Sequence, residues 1–135
     1  MIRTAFPQDA PSVAPLMFQA MSDIVFKLIN RNDPKEATRF LERLFIQKNN
    51  QYSYENTLVY EKNNQILGSL VYYNGAHIAT LSQTVFDFVH SSYGHHIRLE
   101  PETQAGEYYI DTLSVSPKVQ GKGIGSSLLL FLEEN

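Results

Sequence analysis

Seven residues near the C-terminal end of the 135-residue sequence carry the clearest chemical signal. Gln120-Gly121-Lys122-Gly123-Ile124-Gly125-Ser126 sets three glycines at alternate positions just ahead of an apolar run, Leu128–Leu132. Glycine has no Cβ, so the amides of such a loop, with those of a helix starting behind it, can converge on an anion. A diphosphate suits this arrangement, and Lys122 adds charge at its rim. Upstream, Glu107–Ser116 reads as a strand that Pro117 ends. A turn that merely lets strand and helix pack closely accounts for one or two of the glycines, not for three in register with a helix start.

Three kinds of phosphate site use glycine-rich loops. A Walker A loop needs a glycine, four residues, then Gly-Lys and a Ser or Thr. Here Lys122 is followed by Gly123 and no glycine precedes it at that spacing. A dinucleotide fingerprint needs Gly-x-Gly-x-x-Gly inside a β-α-β unit, whereas these glycines are spaced Gly-x-Gly-x-Gly and no second strand follows. The segment resembles instead the coenzyme-A-binding motif of GNAT acetyltransferases, Arg or Gln, two residues, Gly, one residue, then Gly or Ala. The resemblance extends upstream through Leu113, Val115 and Pro117, and downstream through Ile124 and Ser126-Ser127-Leu128-Leu129.

That resemblance implies an acyl-CoA N-acyltransferase-like fold, acetyl-CoA as cosubstrate and direct attack by an amine on the thioester, without an acyl-enzyme. It implies that Leu113, Ser114 and Val115 present backbone groups to the pantetheine arm and the thioester carbonyl. It assigns the pyrophosphate to Gln120, Gly121, Lys122, Gly123, Ile124, Gly125 and Ser126. It also implies closing strands after the cofactor helix, which have no counterpart before Asn135. The expectation is therefore a fold whose closing strands are missing here, with half the cleft supplied by further chain or by a partner, a homodimer being one arrangement. The exposed edge of the Glu107–Ser116 strand invites such pairing.

An attacking amine must be neutral, so a group must accept its proton. Glu107 and Asp111 are the candidates. Alternation along a strand puts Glu107, Tyr109, Asp111, Leu113 and Val115 on one face. Some relatives carry a glutamate base where Glu107 falls, thirteen residues before Gln120; an exposed charge at a strand start is the plainer reading. Asp111 lies deeper, where β propensity disfavours a carboxylate, and a site or a hydrogen-bonded structural role explains it equally well. The tyrosine that often reprotonates the thiolate in this family has no matching position.

Elements must hold these groups in place. Ile2–Phe6 reads as a strand. Val13, Leu16, Met17, Ala20, Met21 and Ile24 recur on one helical face, with Asp9 or Ser12 as cap and Pro11 or Pro15 bounding or kinking its start. Asp33-Pro34-Lys35-Glu36 has the layout of a capping box, and Ala37, Phe40, Leu41, Leu44 and Phe45 follow as a buried stripe, ending near Lys48. Thr57–Glu61 and Gln65–Tyr73 read as a hairpin turning at Asn63-Asn64. In 76–105, Ile78, Leu81, Val85, Phe88 and Val89 fit a helical face before a polar loop. A long excursion of this kind suggests a cover for the acceptor site. The order β-α-α-β-β-(α)-β-α gives one α/β (α+β) domain over 1–135, with a mixed sheet flanked by helices.

Composition narrows the function classes. There is no cysteine, which removes thiolate nucleophiles and CxxC metal sites and fits a reducing compartment, so the cytoplasm is the expected location. A net charge of −3 with no basic cluster gives no attraction for nucleic acid, and no apolar run approaches a membrane span. His77, His90, His95 and His96 crowd the 76–105 stretch. Adjacent histidines rarely share one ion, so no metal is expected and exposed positions, or a part in shaping the acceptor pocket, are the readings. The tyrosines are expected in strands and at core edges, some walling an amine site. The leading function is an N-acetyltransferase acting on a primary amine of a small molecule or peptide. A non-catalytic acyl-CoA-binding or sensing module is the alternative, and a nucleotide-binding protein of unrelated type a third.

Overall fold

Pairing of complementary edges sets the architecture. The computed structural model describes residues 1–96 and 108–134. Eight main elements follow in order: β1 Ile2–Thr4, α1 Ala10–Ile29, α2 Pro34–Phe45, β2 Thr57–Lys62, β3 Gln65–Asn74, α3 Ile78–Tyr93, β4 Tyr108–Val115 and α4 Ile124–Glu134. The strands form one sheet in the order β1-β2-β3-β4. The sheet was expected to be mixed, yet every pair among the described residues is antiparallel. Asn63 and Asn64 both take positive φ, 53° and 62°, as a two-residue turn matched to strand twist requires.

Helices cover both faces. Beneath one lie α1, α2 and α3, whose Val13, Met17, Phe40, Leu44, Val85 and Val89 pack with Val59 and Val71. Beneath the other lies α4, whose Ile124 and Leu128 pack with Leu58 and Leu70. Gly68 on β3 allows that approach. A Cβ there would stand 2.9 Å from Ile124 Cγ2 and 3.3 Å from the Ser114 carbonyl oxygen.

The cap expected at Asp33 is present, its carboxylate accepting from the amides of Lys35 and Glu36. Glu36 does not reach back as a capping box would. It accepts from Tyr93 Oη at 2.6 Å and ties α2 to the end of α3, beside the tilted Phe40–Phe88 and Phe40–Tyr93 ring pairs. Helix α2 ends at Phe45, short of Lys48. Helix α1 departs from a single stripe. Met21 has φ −140° and ψ 31°, so the helix kinks there and the phase of its buried face changes. Met21, Val25, Leu28 and Ile29 are buried, while Ala20 and Ile24 face outward. By length and composition Pro7–Ile29 could cross a membrane, with a mean hydropathy of 1.3, but this domain uses it as a core helix.

The first strand is anchored by charge. Arg3 makes two bonds to Asp9, at 2.8 and 3.1 Å, and two to Glu61. Asp9 also accepts the Phe6 amide at 2.7 Å. Burial pushes the Asp9 carboxyl up, but Arg3 and the Phe6 amide together hold it below its ordinary value of 3.8. A lowered carboxyl stabilises the fold above its unfolded pKa and loses that contribution as pH falls through the folded value. Asp9→Asn should therefore cost about 1–3 kcal/mol at neutral pH. In urea melts across pH the gap from the parent should persist down to about pH 4 and close below it; a gap independent of pH would contradict this.

Candidate functional site: an open strand edge and a glycine-rich loop

Ladder parity decides which backbone groups of β4 face a ligand. Ser114 pairs with Ser69 and Thr112 with Val71, and the Ser116 amide donates to Leu67 O at 2.8 Å. Bonded pairs alternate in an antiparallel ladder, so Thr112 and Ser114 turn their amides and carbonyls toward β3. Leu113 and Val115 turn theirs to the other edge, where no described strand pairs. The carbonyl of Val115 confirms the direction, accepting from Gln19 Nε2 at 2.9 Å and Gln120 Nε2 at 3.1 Å. Gln19, on α1, also donates to Ser114 Oγ. Long-range pairs of this kind leave no local trace, and Gln19 was not visible in the sequence.

The chain then turns through Pro117–Val119 and enters the loop. Gly121 and Gly123 both have φ +83°, which a side chain rarely tolerates, and a Cβ on either would meet nothing within 4 Å. Gly125 is different. Its backbone is not in that region, and a Cβ would only touch Val115 and Leu113 side chains at 3.7 and 3.8 Å. The fold thus requires glycine at two of the three positions and leaves the third to whatever approaches from outside. No acceptor among the described residues takes the amides of Gly123, Ile124, Gly125 or Ser126; the Ser127 amide donates to Gly123 O at 2.9 Å. These are the orphan donors of a helix start, aligned with the positive end of its dipole. Lys122 and Ser126 are exposed beside them. Gln120 turns its side chain back to the strand, so it ties loop to β4 instead of facing the loop's open side.

Asp111 does not share a face with Leu113 and Val115. Asp111 is an extra residue in β4: Val71 pairs with Thr112 and Tyr72 with Ile110, so the register slips there. Such a bulge resets alternation. Tyr109 pairs with Tyr73 and so lies on the face of Thr112 and Ser114, whereas Leu113 and Val115 pack with α4. Regular alternation therefore fails for the expected row of Glu107, Tyr109, Asp111, Leu113 and Val115, and Glu107 lies outside the described residues.

Asp111 sits in a polar cluster on the α1–α3 side. Its Oδ2 accepts from Tyr73 Oη at 2.9 Å and Gln51 Nε2 at 3.3 Å. Gln51 Nε2 also meets Tyr52 Oη at 3.0 Å, and the Tyr73 and Tyr109 rings stack edge-on, 5.7 Å apart. Burial first, then the Asp111 charge, pushes both the Tyr52 and Tyr73 phenols well above the ordinary tyrosine value, so both stay protonated and Tyr73 remains a donor to Asp111. Ser69 Oγ and Thr112 Oγ1, buried on this face, have no partner among the described residues.

The histidines lie elsewhere. His90 and His96 stack at 4.1 Å and His95 Nε2 bonds the Leu28 carbonyl. Among the described residues no three metal-ligating groups converge. Residues 78–93 form a helix packed on the core, running past Ser91 where the polar loop was expected to begin; residues 97–106 of that loop lie outside the described residues.

Comparisons with known proteins agree with this geometry. Among solved structures, one described as an acetyltransferase is 27% identical, with a TM-score of 0.84 over 99% of this chain and 72% of that one. An N-acetyltransferase from Staphylococcus aureus Mu50 is 26% identical, with a TM-score of 0.85 over 100% of this chain and 76% of that one. A GNAT acetyltransferase from Brucella melitensis, crystallised with acetyl-CoA, shares the fold at 22% identity and a TM-score of 0.52, over 99% and 66% of the two chains. No curated protein sequence matches.

The glycines give a direct test. Gly123→Ala should cost about 1–2 kcal/mol of stability from its left-handed backbone but weaken coenzyme A by about tenfold or more in calorimetry, since two or more charge-assisted bonds depend on that bend. Gly125→Ala should fold normally and still lose affinity. Unchanged affinity in both would remove the loop from the cofactor site. The acetyltransferase (GNAT) family matches residues 23–135, and the chain belongs to that family, whose members transfer acyl groups from acyl-CoA.

Proposed function

We propose that the protein is an N-acetyltransferase that moves the acetyl group of acetyl-CoA to a primary amine of a small molecule or peptide. The observation that carries this reading is the meeting of two backbone surfaces: the outward edge of β4, where no described strand pairs with Leu113 or with the Val115 amide, and the amides of Gly123, Ile124, Gly125 and Ser126, which have no acceptor among the described residues. One offers amide pairing along an extended arm, the other a cradle for a diphosphate. A CoA thioester carries both groups on one molecule. These residues fit it without rearrangement of the loop, because the amides have no acceptor among the described residues and no Cβ stands over Gly121 or Gly123.

In the reaction the amine nitrogen bonds to the thioester carbonyl carbon, the carbon–sulfur bond breaks to release coenzyme A as its thiolate, the amine gives its proton to a base or through it to water, and the thiolate takes up a proton from solvent. An outward N–H of β4 polarises the carbonyl, which is stabilisation by a fixed dipole. Asp111 orders the amine or accepts its proton through water. It lies two residues along the strand from Leu113, and Tyr73 and Gln51 hold it. Glu107 remains the second candidate for this role. A net charge of −3 favours a cationic amine in the encounter, and the cytoplasm supplies acetyl-CoA and reducing conditions.

A sensing module would bind the same ligand without chemistry. Release of free thiol from acetyl-CoA over a panel of amines separates the two: turnover with any amine supports the enzyme, and tight binding with no turnover on any amine supports the sensor. Within the enzyme reading, Asp111→Asn keeps the shape and an acceptor for Tyr73. It should lower kcat/KM by about 10²-fold or more, the usual contribution of a general base, with coenzyme A affinity unchanged. Wild-type turnover in this variant would remove Asp111 from the mechanism.

A further inference from the structure

The side chain of Gln51 joins three elements that are distant in sequence. It lies in the connection between α2 and β2. Its Oε1 accepts from Ser82 Oγ of α3 at 2.8 Å, and its Nε2 donates to Asp111 Oδ2 of β4 and to Tyr52 Oη. The orientation of the amide follows from charge: reversed, it would place an oxygen against the Asp111 carboxylate and a nitrogen against the serine. Asp111, which only accepts, therefore fixes which end of Gln51 faces the strand, and Ser82 holds the other end by donating to Oε1.

We infer that Gln51 is a positioning residue for the reaction, and that through Ser82 it makes α3 a support of the Asp111 carboxylate. The inference rests on the reading of Asp111 as the group that serves the acceptor amine. Asp111 occupies a bulge, where the ladder does not fix a residue as it does a regular pair, so its carboxylate depends on side-chain donors for direction. Tyr73 supplies one from its own sheet. Gln51 supplies a second from outside the sheet, and that donor is held by a helix otherwise anchored in the core through Val85 and Val89. A small displacement of α3 thus reaches the carboxylate through two hydrogen bonds. Residues 78–93, which look like an excursion between two strands, act here as a brace for the site.

The consequences are readable in kinetics. Gln51→Ala removes a donor to an ionised carboxylate, which disfavours the ionised form. The acidic limb of the kcat/KM profile should move to higher pH. At its optimum kcat should fall about tenfold through lost alignment, with KM for acetyl-CoA unchanged. Gln51→Glu keeps the size and the bond from Ser82 but sets a second carboxylate beside Asp111, so its limb should move further in the same direction. Ser82→Ala touches neither Asp111 nor the cofactor edge. It should shift the limb the same way by less, and the Gln51→Ala, Ser82→Ala double variant should match Gln51→Ala alone, as coupled residues do.

Both half-buried positions tolerate substitution without opening the core, and melting temperatures check this. If Asp111→Asn is impaired but Gln51→Ala, Gln51→Glu and Ser82→Ala keep the wild-type pH profile and kcat, the inference is overturned. A lower melting temperature with an unmoved limb overturns it too, since that is the mark of a purely structural role. Wild-type turnover in Asp111→Asn would instead show that the underlying reading of Asp111 had failed, and would take this inference with it.

Discussion

Four consecutive amides, from Gly123 to Ser126, have no acceptor among the described residues, and the proposed cofactor site depends on that deficit. A helix start always leaves its first donors unmet. Most proteins cap them with a side chain, as this one does at α2 with Asp33. At α4 no described side chain caps the first amides, and glycines hold the approach open. Because the loop is exposed, water satisfies these donors at little cost. A phosphate oxygen that replaces the water makes a charge-assisted bond roughly twice as strong as a neutral one. The site is thus made by leaving groups unpaired where pairing would be easy.

The same logic governs β4. Its inner edge pairs with β3 on both sides of the Asp111 bulge, while its outer edge at Leu113 and Val115 is not paired by any described strand. Gln19 and Gln120 converge on the one outward carbonyl of Val115, so α1 and the loop both register against the strand where the ligand edge meets the cradle. Gly68 completes the arrangement from below. Its missing Cβ lets α4 lie close to β3, which sets where the helix start and its amides stand. The bulge at Asp111 divides the strand by task. Beyond it toward the loop lies the edge proposed for the cofactor; at it, a carboxylate turns to the α1–α3 side, where Tyr73 and Gln51 hold it.

Local features were legible in the sequence. The loop glycines, the Asn63-Asn64 turn and the Asp33 cap each act within a few residues, so residue type and spacing suffice. Element order was legible too, since hydrophobic period depends on near neighbours. What escaped depends on partners far along the chain. Asp111 is an extra residue only with respect to β3, thirty-eight positions away from its Tyr73 partner, and alternation counted along one strand cannot show that. Glu36 looked like half of a capping box because its true partner, Tyr93, lies fifty-seven residues on. Gln19 and Gln51, ordinary polar residues by sequence, gain their roles from contacts across 96 and 60 positions. The stripe on α1 broke at Met21, where no proline or glycine marks the kink. Gly68 did carry a signal, an isolated glycine within a strand, which often means a close approach.

The most direct measurement is a titration of the nitrogen-15-labelled protein with coenzyme A, followed amide by amide in solution. The account predicts that the largest shifts fall on Gly121, Gly123, Ile124, Gly125 and Ser126, with a second group at Leu113 and Val115, and that Thr112 and Ser114, bonded inward to β3, move little. Shifts centred elsewhere in the sheet or helices, with the loop amides unmoved at saturation, would contradict it.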